Sequence, residues 1–74
     1  MSTLFAETYP DTAEGTATRL LAGVAVVVEQ HLGSRMGDET RIGCMIDLHR
    51  IDLGDLPEDT HSLYHELRAY FGIA

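Results

Sequence analysis

The stretch Ala13-Glu14-Gly15-Thr16-Ala17-Thr18-Arg19-Leu20-Leu21-Ala22-Gly23-Val24-Ala25-Val26-Val27-Val28-Glu29-Gln30-His31-Leu32 decides the fold class. At 3.6 residues per turn, Ala13, Ala17, Leu20, Leu21, Val24, Val27, Val28 and Leu32 gather on one broad apolar face. The β-branched run Val26–Val28 would suit a strand, but the helical period fits the whole stretch better. Tyr9-Pro10-Asp11-Thr12 reads as the helix start, with Asp11 as cap and Glu14 completing a capping box. The predicted helix covers 12–32, and Gly33 supplies a left-handed stop. On its far side Gly15, Ala22 and Val26 line up beside Arg19. Small residues there would admit a second helix closely, so these three are the candidate self-association residues.

Ser34 to Thr40 reads as a polar loop containing Gly37. The segment after it has two readings. Ile42, Cys44, Ile46 and Leu48 alternate with Arg41, Gly43, Met45 and Asp47, which is a strand pattern. Ile51, Leu53 and Leu56 break that alternation, and a lone strand leaves its edges unpaired, with only the short Thr3–Ala6 region to meet it. The expectation is an ordered acidic connection with a short helical turn; a short strand pair is the alternative. A last helix follows, capped by Asp55 or Asp59, with Pro57 in its first turn and Gly72 at its stop. Its buried stripe is read as Leu56, Leu63, Leu67, Tyr70 and Phe71, with Tyr64 at the edge. Glu58, His61, His65 and Arg68 fall on the opposite, solvated side.

The expected fold is therefore mainly α: a small helical bundle with a long N-terminal helix, an acidic irregular connection and a C-terminal helix. An α+β fold is the alternative. The 74 residues have room for one domain, with 1–10 as an N-terminal arm. A core this small commonly needs a staple or an oligomer. Cys44 is the only cysteine, so no disulfide can form within the chain, and a lone thiol fits a reducing cytoplasm. The residues Met1 to Glu7 lack the basic and apolar regions of a signal peptide. Arg19 and Glu29 interrupt the apolar stretch, which falls short of the roughly 20 residues a membrane span needs.

Charge sets a further bound. Twelve acidic residues face five arginines, there is no lysine, and the net charge is −7. A duplex-binding protein needs a basic stripe to displace counterions from phosphate. Direct binding of nucleic acid is therefore not expected; a basic protein partner is.

From Asp52-Leu53-Gly54 through Asp59-Thr60, Leu63, Leu67 and Phe71-Gly72-Ile73, the sequence resembles the second helix of acyl carrier proteins. There an Asp-Leu-Gly precedes Asp-Ser-Leu, and the helix often closes on Phe-Gly-Ile. Glu29-Gln30-His31-Leu32-Gly33 is similar to the end of that family's first helix. The resemblance implies a helical bundle. Pro57 stands where the family carries its phosphopantetheine-bearing serine, so the resemblance implies a carrier-like docking module without carrier chemistry and without a cofactor.

Two constellations and one lone histidine have residue types suited to chemistry. Glu58, His61 and His65 share one helical face at i, i+3 and i+7, a spacing at which imidazoles and a carboxylate can meet a metal, though the bland reading is a solvated face. Cys44, Asp47 and His49 supply a thiol, an acid and a base, but spread over five positions of a segment with two readings they have no defined mutual geometry. His31, in the last turn of its helix, suits the capping of carbonyls. No catalytic residue is assigned.

The leading expectation is a non-enzymatic binding protein or inhibitor, of the type encoded by phages and mobile elements. Asp47, Asp52, Asp55, Glu58 and Asp59 would present an acidic, nucleic-acid-mimicking surface to a basic site on a partner. The runner-up is an assembly subunit built by helix pairing as a homodimer or larger homo-oligomer.

Overall fold

A computed structural model describes residues 11–73. Three α-helices and two single 3₁₀ turns make up its regular structure, with no strand among the described residues. Helix α1 spans Ala13–Gln30, α2 spans Asp38–Arg50 and α3 spans His61–Tyr70; the 3₁₀ turns Leu53–Asp55 and Glu58–Thr60 link α2 to α3. The fold is thus a small mainly α bundle. The N-terminal arm and the strand partner considered at Thr3–Ala6 lie outside the described residues.

Helix α1 begins one residue later than its expected cap allows. Thr12, not Asp11, is the N-cap, and its Oγ1 accepts from the Gly15 amide at 3.0 Å. Gly15 then occupies the third helical position, so no capping box with Glu14 forms, although Glu14 still lies near the positive end of the dipole. The helix ends at Gln30, two residues short of Leu32. Gly33 does adopt a left-handed φ of 80°, but as the third residue of a turn closed by the Ser34 amide on the His31 carbonyl at 3.1 Å. Leu32, outside the helical period, is 71% exposed and is not part of the buried face.

Residues 40–54 depart most from expectation. Neither a loop nor a strand, most of this segment belongs to the 13-residue helix α2. Cys44 and Leu48 point into the core, while Ile42 and Ile46 are about half exposed, at 49% and 54%. An alternation of period two takes steps of 200° on a helix, so two i, i+4 pairs on opposite faces mimic a strand. The helix satisfies its own backbone hydrogen bonds, whereas a strand would need a partner.

The core gathers Ala17, Leu21 and Val24 of α1, Cys44 and Leu48 of α2, Ile51, Leu56, and Tyr64 and Leu67 of α3. Leu48 is fully buried. The stripe of α3 is rotated from its expected position. Tyr64 is core and not edge, whereas Leu63 and Tyr70 are exposed. The two 3₁₀ turns delay the α-helix to His61, and Tyr64, Leu67 and Phe71 at i, i+3 and i+7 then face α1 and α2. Neither Asp55 nor Asp59 caps α3; its N-cap is Thr60, which makes no side-chain cap bond. Pro57 precedes the second 3₁₀ turn and lies outside the helix.

The end of α3 is built as expected. Gly72 has φ 74°, its amide donates to the Ala69 carbonyl at 3.0 Å, and the Ile73 amide donates to the Arg68 carbonyl at 2.9 Å. These two bonds form a Schellman motif. It carries Ile73 to the side of α2.

Candidate interaction surface

The acidic residues proposed for partner contact do not have one common environment. Asp52 is the N-cap of the first 3₁₀ turn, its Oδ1 accepting from the Gly54 amide at 3.0 Å. Asp47 is half-buried and faces Arg50 at 4.0 Å, one turn away on α2. Asp55 is half-buried, and Glu58 and Asp59 are exposed on the second 3₁₀ turn. The tract is therefore partly occupied in shaping the connection between α2 and α3.

The candidate metal ligands are not brought together. Glu58 belongs to a 3₁₀ turn and not to the helical face of His65. His61 is half-buried, with Nε2 3.1 Å from the Leu56 carbonyl oxygen. His65 packs edge-on against Tyr64, with ring centroids 5.5 Å apart. Among the described residues no group of three His, Cys, Asp or Glu side chains is placed to hold a metal ion. Arg68, expected on the solvated side, is half-buried; its Nη1 donates to Tyr64 Oη at 3.1 Å, and its guanidinium lies 5.5 Å from the ring centroid.

Cys44, Asp47 and His49 likewise do not form a nucleophile with its base. Cys44 is buried in the core, whereas His49, five residues along α2, is exposed near the opposite side. Burial, assisted by the Asp47 carboxylate, pushes the Cys44 thiol above its ordinary value of 9.0. Such a thiol is held in its un-ionised, unreactive form. His31 fills the role read from the sequence: Nδ1 lies 2.8 Å from the Val27 carbonyl oxygen, one of the last acceptors of α1.

Of the candidate self-association residues, Gly15 is buried and Ala22 and Val26 are half-buried. A more open apolar surface lies on α2. Ile42, Met45 and Ile46, with Ile73, line a shallow groove of about 450 Å³ bordered by Arg41, His49 and Arg50. Helix α2 is thus apolar on two sides, one packed in the core and one facing outward. The alternation that suggested a strand carried this signal: two apolar i, i+4 pairs on opposite helix faces mean two surfaces to cover. A second groove, of about 490 Å³, runs between the start of α2 and the end of α3, past Arg35, Met36 and Tyr70.

No helix among the described residues is long and apolar enough to cross a membrane. Compared with protein families, curated proteins and solved structures, the chain matches none. Fold and surface define a small acidic chain with three helices among its described residues, the middle one having one apolar side in the core and another turned outward.

Proposed function

We infer that this chain is a protein-interaction module that works by docking the outer face of α2 against another polypeptide. The observation that carries this reading is the exposure of Ile42 and Ile46 on a helix whose other side is already buried. Single exposed apolar residues are ordinary, but a contiguous set along one helix face marks an interaction site. Helix-in-groove and helix-on-helix contacts use i, i+4 apolar anchors of this kind.

The acidic-surface reading keeps a place beside it on one observation. Among the described residues no ion pair reaches Asp52, Asp55, Glu58 or Asp59, although the connection concentrates them within eight positions. A basic site on an inhibited partner would be attracted to that surface over about a Debye length.

One experiment separates the two. Wild type, Ile46→Glu and the triple variant Asp55→Asn/Glu58→Gln/Asp59→Asn are immobilised and exposed to host lysate and to untagged copies of the chain. Retention that resists high salt and disappears with Ile46→Glu is the expected result. Retention unchanged by Ile46→Glu overturns the α2 reading. Release by salt, together with loss on the triple variant, transfers the assignment to the acidic surface.

A further inference from the structure

We propose that the occupant of the outer face of α2 is α2 of a second copy, packed antiparallel about a two-fold axis. This deepens the reading above by naming the partner, and rests on it. The seam is Glu39, Ile42, Ile46 and His49, spaced 3, 4 and 3 residues, the spacing of an a/d seam in a coiled coil. A two-fold axis passing beside Gly43 and Cys44 places Ile42 of each copy against Ile46 of the other. Isologous pairing of this kind needs a surface that complements itself.

The charges on α2 meet that condition. Asp38 and Glu39 lie in its first turn, and His49 and Arg50 lie at its end. At 100° per residue, Glu39 and Arg50 fall on one flank of the seam, Asp38 and His49 on the other. A perpendicular two-fold axis brings like flanks together and opposite ends together. Arg50 of each copy then meets Glu39 of the other, and His49 meets Asp38, twice over in the dimer. The antiparallel arrangement also opposes the two helix dipoles. The internal pairs that now hold two of these groups are loose and exposed, Arg41 to Asp38 at 3.6 Å and Arg50 to Asp47 at 4.0 Å, so little is lost when they exchange partners. A parallel pair would instead set Glu39 against Glu39 and His49 against His49.

The contact is short, since 13 residues of helix extend about 20 Å. A contact along so short a seam lies at the low end of specific complexes, so a weak dimer that forms only at high concentration is expected. Sedimentation of the full chain from micromolar to millimolar concentration reads it directly. The wild type should shift from monomer to dimer. Ile46→Glu, which sets a charge in the seam, should stay monomeric at every concentration.

Arg50→Glu alone sets two like charges together at each end, as does Glu39→Arg alone, and each should weaken the dimer roughly tenfold. An equimolar mixture of those two variants should recover wild-type affinity, because in the heterodimer Arg50 and Glu39 and their replacements are all opposite in sign. Recovery on mixing also reads out that both variants retain a folded α2. A wild type that remains monomeric at millimolar concentration overturns the self-pairing, while capture of a different polypeptide dependent on Ile46 would still uphold the wider docking reading. A dimer indifferent to Ile46→Glu places the contact elsewhere, and a mixture no tighter than its components rejects the antiparallel register.

Discussion

His61 reaches back across the second 3₁₀ turn to place Nε2 3.1 Å from the carbonyl oxygen of Leu56, a residue buried in the core. A carbonyl only accepts, so His61 carries its proton on Nε2. His31 makes the corresponding contact through the other nitrogen, Nδ1 to the Val27 carbonyl at 2.8 Å. The two histidines should therefore be opposite neutral tautomers. Two-dimensional ¹⁵N–¹H spectra of the imidazole rings at a pH where both are neutral distinguish them directly; the same tautomer at both positions would contradict these contacts.

His61→Ala removes the bond that ties the connection to the start of α3. The Leu56 carbonyl loses its partner, and a cost of about 1 kcal/mol in unfolding free energy is expected. His65→Ala, whose ring is exposed, should cost less than half of that. Urea denaturation of both variants makes the comparison.

Leu48→Ala empties the most enclosed position of the core, where the side chain is wholly inaccessible. Truncations of this kind cost about 2–5 kcal/mol, depending on how far the cavity collapses. The total stability of a domain this small is about 5 kcal/mol, so only about 0–3 kcal/mol should remain and the melting midpoint should fall by about 10 °C or more. The matched substitution Ile46→Ala, on the outer face of the same helix, should change the stability of the monomer by well under 1 kcal/mol. Circular dichroism melts at low concentration read both.

Thr12→Ala should cost about 1 kcal/mol through loss of the Gly15 amide's acceptor, and Thr12→Ser or Thr12→Asp should restore most of it. Asp11→Ala should cost only the weaker dipole contribution, a few tenths of a kcal/mol. A reversed order would return the cap to Asp11.

The Cys44 thiol should react with an aromatic disulfide reagent only as fast as the protein opens. Its pKa is raised in the folded chain by burial and by Asp47, so the native state holds this proton more tightly than the unfolded one. The stability it contributes is complete below the ordinary thiol pKa. It declines as pH rises through 9.0 and towards the folded value. Cys44→Ala, with no thiol to ionise, should show a flatter loss of stability above that pH in denaturant titrations.

The amphipathic period of α1 and the Gly72 stop of α3 were legible in the sequence because they are local, whereas α1 ends at Gln30 and leaves Gly33 to a separate turn. A helix face, a left-handed glycine and a Schellman turn depend on residues within one or two turns of each other. The carbonyl contact of His31 was legible for the same reason. The Asp11 cap, by contrast, failed by a single residue, since helix ends depend on small balances between neighbouring cap candidates.

Helix α2 was not legible. Ile42, Cys44, Ile46 and Leu48 satisfy a period of two as a strand and also as a helix with two apolar sides, and local preference does not separate these. The same limit moved Tyr64 into the core and left Leu63 outside it, because the delay of α3 to His61 rotated which residues face α1. Sequence alone determined that the chain is acidic, mainly helical and without an internal disulfide, since these follow from composition and short-range periodicity. Only the tertiary structure decided that Cys44 and Leu48 are buried while Ile42 and Ile46 face outward. That choice depends on which side of α2 meets α1 and α3, a relation between residues far apart in the chain.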